Sequence, residues 1–493
     1  MTQPQTTQAQ IDAFLATATQ AAAAIKETAK KDGFIHLFSH LDADGIAAAA
    51  VMGKTLHRLD ARFRIRITQW IDEKIINEIT ADKPELVILT DFGSGYLDLL
   101  NEKIPNYKIL ILDHHQANGT ADNSNFIQVN PHQHGMDGAT AVSGSGVAYF
   151  VARAVDPRNT DLAPTALVGA LGDMQDRYDQ RKLGALNQLI VDDGVNSGLV
   201  KVERDLTFFG RETRPIHKTL ATTTNPFIPG ISGEEDKSLA FLSSLDIKLK
   251  TGEKWRALRD LTEDEKKRLC SALADYLLSH GLHYEVENLI GYIYVLTSEE
   301  PWTPLRDGRE FAVVLNSTGR MNRPSLGIAV CMGDRGSALE EANHVLEDYR
   351  RNINKYLTWV MEKPERLREK ENVYVVDGAD FISEKIIGTI SSILISSLPD
   401  VEKPIIAYAK ADAEGGEQVA KFSARTTELA IRKGVNLGEV MGIAEKLGGK
   451  GGGHNIAAGA QVPLDKVETF VSMVNDLVGR QLKGEKIAGD NST

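Results

Sequence analysis

Three apolar runs in this 493-residue chain stop abruptly in carboxylates and imidazoles. Leu110-Ile111-Leu112 ends in Asp113-His114-His115. Phe34–Ser39 leads into His40-Leu41-Asp42-Ala43-Asp44-Gly45, and Leu86–Thr90 leads into Asp91-Phe92-Gly93. A further carboxylate, Asp173, follows the apolar stretch Gly169-Ala170-Leu171-Gly172. Alternate residues of an extended loop project to one side, which lets His40, Asp42 and Asp44 converge on one locus. Gly45 permits a sharp turn there and opens a helix with free N–H groups. Hard oxygen ligands with a few imidazoles suit Mn2+ or Mg2+ better than structural zinc, which favours Cys and His. Carboxylates gathered out of water repel one another, so a cation must be present or their pKa values must rise. Two metals about 3.5–4 Å apart need one bridging carboxylate and separate ligands on each side, and this inventory meets that count.

The elements that must position these groups alternate regularly. An Ala-rich helix is predicted from Ile11 to Lys31. Strands at Phe34–Ser39, Phe63–Trp70, Leu86–Asp91 and Lys108–Asp113 then alternate with helices at Ile46–Leu59, Glu73–Ile79 and Tyr96–Lys103. Continuous apolar strands in βαβ order predict an α/β fold with a parallel sheet covered on both faces. Ligands of such sheets bind beyond the C-terminal strand ends, where all these clusters fall. Asp-x-Asp-Gly alone is an ordinary turn or helix cap, and a His pair alone is ordinary filling. The conjunction at one sheet edge carries the weight.

Further helices are predicted at Ser145–Ala154 and Pro164–Gly172. Beyond Asp176 the alternation weakens. Gly210–Gly233 is rich in Thr and Pro and reads as loop, and Lys237–His280 reads as helical with polar loops. A second α/β pattern starts near Phe311, with strands at Phe311–Leu315 and Leu326–Val330 and an amphipathic helix Ser337–Val360. It continues through Val373–Val376, Ile405–Tyr408, Val419–Ala424 and a glycine-rich loop Gly448–Gly453. These patterns divide the chain into a tail and helix (1–30), a first α/β domain (31–186), a partly helical middle (187–310), a smaller α/β domain (311–483) and a disordered tail (484–493). The main boundary is expected between Asn187 and Arg309.

Bulk properties narrow the class. Hydrophobic and charged fractions of 42% and 25% are those of a globular protein, and no apolar run approaches a membrane span. Met1 to Gln10 lacks the charged start and apolar core of a signal peptide and reads as a disordered lead-in. Cys270 and Cys331 read as buried thiols in a reducing cytoplasm. A net charge of -12 argues against non-specific coating of duplex DNA, yet leaves room for a nucleic-acid enzyme with a local basic groove.

The second α/β pattern carries its own chemistry. Asn316-Ser317-Thr318-Gly319-Arg320, Lys421-Phe422-Ser423-Ala424-Arg425 and Gly448-Gly449-Lys450-Gly451-Gly452-Gly453-His454 each follow or join strand-like runs. Arginine is suited to bidentate phosphate contact, and successive glycines can turn backbone N–H groups toward one anion.

Taken in order, these segments resemble the DHH-family phosphoesterases, named for Asp113-His114-His115. His40–Gly45 is similar to the family's first motif, Asp91 to its second, Asp113–His115 to its third and Gly169–Asp173 to its fourth. The resemblance implies that His40, Asp42 and Asp91 hold one Mn2+ and that Asp44, Asp91, His114 and Asp173 hold another, with Asp91 bridging. Mg2+ is the alternative ion. It also implies that Asp113 supports the ligands and His115 faces the substrate phosphate. Arg320 is similar to the arginine of the family's Asn-Ala-Ala-Gly-Arg motif, although Ser317 and Thr318 replace the alanines. Ser423 and Arg425 are similar to its Ser-x-Arg motif, and Gly452, Gly453 and His454 to its Gly-Gly-His motif, giving the substrate-binding set. The resemblance covers about residues 34–175 and 311–460 and is nearest the RecJ-like exonucleases of the archaeal group.

That resemblance implies a DHH domain and a DHH-associated domain with the active site in the cleft between them. The activity it implies is Mn2+-dependent exonucleolytic hydrolysis of single-stranded DNA or RNA to nucleoside 5′-monophosphates in replication or repair. Two alternatives stand beside it. One is a phosphodiesterase for dinucleotides or short RNA. The other is a replication-fork scaffold that binds GINS and the MCM helicase.

Overall fold

The computed structural model describes residues 6–119, 123–176, 179–223, 226–378, 380–395, 398, 400, 402–412 and 418–484. Its first feature is a five-stranded, all-parallel sheet. The strands are β1 (Phe34–His40), β2 (Arg62–Thr68), β3 (Leu86–Thr90), β4 (Ile109–Leu112) and β5 (Phe126–Val129). Their order is β2-β1-β3-β4-β5. The chain leaves β1 toward one edge to form β2, then returns to the other side of β1 to form β3. The order therefore reverses between β1 and β3, and a crevice opens at the carboxyl ends of those two strands. Ser39 pairs with Thr90, Thr90 with Leu112 and Leu112 with Val129. This register puts His40, Asp91, Asp113 and Asn130 side by side along one edge.

β3 and β4 are buried at every position, as the continuous apolar runs require. The edge strand β2 differs: it alternates, with Arg62, Arg64 and Arg66 turned outward. Charge on an edge strand discourages pairing with another chain. One sheet face packs on α1 (Gln8–Lys30), α2 (Ala43–Arg58) and, further along the chain, the helix Gly144–Val155; its cluster includes Phe14, Leu37, Val51 and Phe150. The other face packs on α3 (Glu73–Asp82) and α4 (Leu97–Lys103) through Ile75, Ile79, Leu97 and Leu100. Thr7 and Gln10 form a reciprocal cap at the start of α1. The expected disordered lead-in is thus shorter, because its last residues are helix; residues 1–5, like the predicted tail from 485 on, lie outside the described residues.

The chain folds into two units, Met1–Leu346 and Glu347–Thr493. The division falls downstream of the interval 187–309 expected from sequence. The first unit contains, beyond the sheet, an antiparallel strand pair, Val200–Leu206 with Ile290–Leu296. It also has a separate apolar cluster that includes Phe208, Ile216, Leu220, Leu269 and Leu273. Gly210–Gly233, read as loop, therefore contributes core: the short helix Ile216–Ala221 lies in it, with Ile216 and Leu220 fully buried.

Two predicted strands are corrected. Phe311–Leu315 lies within the helix Gly308–Arg320, and Leu326–Val330 within the helix Pro324–Cys331. A short apolar run fits either structure by pattern alone. Here the Asp307 carboxylate caps the first helix by accepting the N–H groups of Arg309 and Glu310, and Pro324 starts the second. Both pack against Ala43, Ile46 and Val168 of the same unit.

The second unit holds a six-stranded mixed sheet. Its central strands are Ile405–Asp412 and Gln418–Arg425, and Ala457–Pro463 and Lys450–Gly453 follow outward. Phe470, Val471 and Val474 of the helix Val467–Leu482 join its core. The predicted loop Gly448–Gly453 is corrected in part: Lys450–Gly453 is a strand paired with Ala457–Pro463. The glycines serve close packing there, since a Cβ on Gly451 would lie 2.0 Å from the Met441 carbonyl oxygen. Cys270 and Cys331 are free, partly covered thiols; burial pushes the Cys331 thiol up to about 12. No helix among the described residues is long and apolar enough to cross a membrane.

Candidate metal centre

The crevice between β1 and β3 gathers the predicted ligands. His40, Asp42 and Asp91 offer atoms within 4.8 Å of one another, and so do Asp44, His114 and Asp173. Asp91 joins the two groups. One of its oxygens lies 3.7 Å from His40 Nδ1, and the other lies 3.3 Å from His114 Nε2. His114 Nε2 is also 3.9 Å from Asp44 and 3.8 Å from Asp173. This donor set of four carboxylates and two imidazoles fits hard divalent cations. His115 also reaches within 4.8 Å of Asp91 and His114, so the geometry admits it as a ligand as well as a substrate contact.

Local structure fixes each group. Ser39 Oγ bonds the Gly45 carbonyl at 2.6 Å and so pins the loop after β1. Asp42 caps α2 by accepting the Gly45 N–H at 3.0 Å. Asp44 accepts the N–H groups of Gly144 (2.6 Å) and Ser145 (3.0 Å) at the start of the helix Gly144–Val155. Asp91 takes a left-handed φ of 60° directly after β3, a conformation in which Asp is over-represented among non-glycine residues. Gly144 and Gly169 make room: a Cβ would lie 2.5 Å from Asp91 Oδ1 at the first and 2.5 Å from Asp44 Oδ1 at the second.

Asp113 is buried and accepts from four neighbouring groups. One of its oxygens accepts the His114 and His115 N–H groups and His115 Nδ1, and the other accepts the Ser94 N–H. His114 Nδ1 lies 2.9 Å from the Gly138 carbonyl. A carbonyl only accepts, so Nδ1 carries the hydrogen and Nε2 faces the carboxylates, the tautomer a metal ligand needs.

Sequence reading missed one part of this support. The Gln175 amide donates to Gly138 O (2.8 Å) and Asp173 (2.9 Å), and its own oxygen accepts from Asn187 at 2.7 Å. Gln175 stands two residues after Asp173, but nothing in its type distinguishes it from a surface glutamine. Ser143-Gly144-Ser145-Gly146 was a better signal: small residues opening a helix mark a close backbone approach.

Electrostatics reflect crowding. Burial, reinforced by the charges of Asp44 and Asp42, pushes the Asp91 carboxyl up to about 7. Asp173 is also raised, chiefly by burial. Burial works against a charged His40, but Asp42 and Asp91 outweigh it and drive the imidazole up to about 10. His114 is likewise raised well above its ordinary value by Asp173, Asp91 and Asp44, against burial. A divalent cation among these carboxylates would take over the stabilisation that now favours the imidazolium forms and would displace any proton held there. Burial also opposes ionisation of Asp42, yet His40, the Gly45 N–H and Arg320 hold it below the usual carboxylate range.

That influence locates Arg320. It ends the helix Gly308–Arg320 in the first unit, where Asn316 accepts the Ala43 N–H at 3.1 Å. The other predicted anion-binding residues belong to the second unit and converge there. Ser423 pairs with Gly459, Gly459 with Gly452 and Ala458 with Gly453, so both glycines lie along the same sheet end as Arg425. Arg425 donates to Ser392 Oγ (2.8 Å) and Ser423 Oγ (3.1 Å), and His454 N–H bonds the Ala457 carbonyl.

Comparison with known proteins agrees with this architecture. The DHH family, N-terminal domain, matches residues 34–171, the DHH-CID domain 208–290 and the DHHA1 domain 372–480. The middle region, which sequence motifs left unread, thus carries a recognised domain. Uncharacterized protein MJ0831 of Methanocaldococcus jannaschii is 32% identical over 457 residues, 92% of this chain and 94% of its own length. RecJ in complex with Mn2+ from Thermus thermophilus is similar at a TM-score of 0.57 and 16% identity over 94% of this chain, which spans only 55% of that protein. CDC45 from Entamoeba histolytica is similar at a TM-score of 0.65 and 10% identity, over 94% of this chain and 99% of its own. The fold is a RecJ-like α/β fold, and its acidic cluster lies at a sheet switch point. The chain belongs to the DHH family.

Proposed function

We propose that this chain is a metal-dependent exonuclease that hydrolyses single-stranded DNA or RNA to nucleoside 5′-monophosphates. The observation that carries the reading is Asp91, whose two oxygens face two separate ligand groups. His40, Asp42 and Asp91 would hold one cation and Asp44, Asp91, His114 and Asp173 the other, Mn2+ before Mg2+. Such a pair would supply a nucleophile from water at neutral pH and neutralise phosphate charge. In the hydrolysis, a bond forms between the water oxygen and phosphorus as the bond from phosphorus to the leaving 3′ oxygen breaks. That oxygen then takes up a proton. Asp113 orients His115 through Nδ1 at 2.8 Å, so that Nε2 meets the phosphate. Arg320, whose charge is felt at Asp42, stabilises the charge that develops on the phosphate. Ser423, Arg425, Gly452, Gly453 and His454 bind strand phosphates.

The test is digestion of end-labelled single-stranded DNA and RNA with Mn2+ or Mg2+. Asp44→Ala and Asp173→Ala should abolish nucleotide release while the fold remains intact. Wild-type rates in either variant would overturn the assignment.

One observation favours a second reading. The likeness to CDC45, with a TM-score of 0.65 over 99% of that chain, raises a replication scaffold bound to GINS and MCM. The complete ligand set argues for an enzyme, because a scaffold has no use for crowded carboxylates. Pull-down with GINS and Mn2+-dependent nucleotide release separate the two, and a chain that does both is an enzyme within a replication assembly.

A further inference from the structure

Two partly exposed tryptophans lie far along the chain from the candidate metal ligands, Trp255 in a hairpin, where its ring packs 4.5 Å from that of His217, and Trp302 beside that hairpin. The strands Lys250–Thr251 and Lys254–Trp255 pair antiparallel, with Lys250 opposite Trp255 and Thr251 opposite Lys254. Lys250 and Trp255 therefore share one side of the hairpin, and Lys254 projects to the other. Trp255 keeps 40% of its surface exposed and Trp302 keeps 51%. Lys250 Nζ sits 4.6 Å from the Trp255 ring centre. On the other side, Lys254 lies 4.7 Å and Arg259 4.8 Å from the Trp302 ring centre. A ring and a lysine thus flank the hairpin on each side, Trp255 from within it and Trp302 from the chain beyond it.

Trp302 is held in place at a cost. Its φ is +60°, a left-handed conformation that bulky side chains rarely adopt. Its Nε1–H donates to Asp260 at 2.9 Å, and two cations flank the ring. Strain spent to keep a large ring exposed points toward a ligand, because burial would otherwise be the better use of that ring.

The charge nearby selects the ligand. Residues 248–260 contain five basic and two acidic side chains, in a chain of net charge -12. Arg256 and Arg259 are paired with Glu265 and Glu212. Lys248, Lys250 and Lys254 have no ion pair among the described residues. Flat rings beside unpaired cations are how proteins hold single strands without regard to sequence, with bases on the rings and phosphates on the cations. An acidic peptide would satisfy the lysines but give no role to the rings.

The patch also connects to the metal centre. The Trp302 backbone N–H donates to the Glu212 carboxylate, and the Glu212 backbone N–H donates to the Glu310 carboxylate. Glu310 stands in the helix Gly308–Arg320, six residues before Asn316 at the crevice, about 9 Å of helical rise.

We propose that Trp255 and Trp302, with Lys248, Lys250 and Lys254, bind single-stranded nucleic acid as a second contact outside the metal centre. The proposal shares its ligand class with the exonuclease reading but does not depend on hydrolysis. The test is anisotropy of fluorescein-labelled oligothymidylate and oligouridylate with the full chain in EDTA. Trp302→Gly, which suits the left-handed backbone, and Trp255→Ala should each weaken binding about tenfold. Replacing Lys248, Lys250 and Lys254 by Glu should lower the slope of log affinity against log salt by about 2. Wild-type affinity and slope in these variants would overturn the proposal. So would unchanged strand binding with lost binding of polyglutamate, which would make the patch a protein-docking surface. If wild-type protein digests strands while the variants bind normally, this inference fails alone. If it binds through the hairpin yet digests nothing with Mn2+, the exonuclease reading fails alone.

Discussion

Asn316 and Ala43 are hydrogen-bonded across 273 residues of chain, the Asn316 side-chain oxygen accepting the Ala43 N–H at 3.1 Å. Ala43 lies between Asp42 and Asp44, so this bond fixes the backbone from which two candidate ligands project. A Cβ on Gly319, one helical turn on, would lie 1.7 Å from the Leu41 carbonyl oxygen, which shows how closely the helix meets the loop. Asn316→Ala should weaken Mn2+ binding by about 10–100-fold, the usual cost of losing a group that orients ligands. Asn316→Asp, which keeps the acceptor, should recover most of it. Calorimetric titration reads this directly, and equal affinities in all three proteins would remove Asn316 from the positioning role.

Asp91→Asn removes the group shared by both ligand clusters. Mn2+ stoichiometry should fall from two toward zero, whereas Asp42→Asn should leave one ion bound. The metal-free melting temperature should not fall, because a carboxyl raised to about 7 by burial and its neighbours is a liability when ionised. A variant that still binds two ions would show that Asp91 does not bridge.

Gly169→Ala should destabilise the protein by about 1–3 kcal/mol, the common cost of overpacking. The new methyl group would lie 2.1 Å from Ser145 Oγ and 2.5 Å from Asp44 Oδ1, so Mn2+ affinity should fall with stability. A variant with wild-type melting and wild-type affinity would mean that the crevice gives way more easily than its packing implies.

Glu310 predicts a pH dependence of stability. Burial, followed by the charge of Asp307, raises its carboxyl from an ordinary 4.5 to about 7. Between those values the folded state holds a proton that the unfolded state has lost. The stability contributed by this group is therefore complete below about 4.5 and is lost as pH rises through about 7. Glu310→Gln keeps an acceptor for the Glu212 N–H and removes the titration. The melting temperature of the variant relative to wild type should rise between pH 5 and 8. A difference that is flat over that range would show that Glu310 does not titrate there.

The candidate ligands His40 and Asp91, and Asp113 beside them, were legible in sequence because each stands at the end of a largely apolar strand, and parallel order brings those strand ends to one edge; Asp173 instead follows a helix. The positions of His40, Asp91 and Asp113 follow from that rule alone. Phe311–Leu315 misled because five apolar or small residues satisfy a strand and a helix equally, and only the Asp307 cap and the contact with Ala43 and Ile46 decide. Arg320 was grouped with Arg425 by motif, yet its helix belongs to the first unit; sequence order carries no information about that packing. Gln175 and Asn187 stayed invisible because an amide that supports a ligand is chemically the same as one facing water. The strand Lys450–Gly453 was hidden by composition, since glycine disfavours strands except where close packing demands it.

Before any ion arrives, several carboxylates of the crevice are already satisfied by backbone donors. Asp42 caps its own helix, Asp44 holds the Gly144 and Ser145 N–H groups, and Asp113 takes three N–H groups from its surroundings. The fold itself therefore holds these carboxylates in place, while burial and the charge of Asp44 keep Asp91 and Asp173 raised. Chelation should accordingly be reversible: stripped protein kept cold and folded should reload from solution without a refolding step. A centre built this way would exchange one ion for another throughout the life of the protein, so that the metal supply of its surroundings, more than its history of synthesis, would decide which ion it carries.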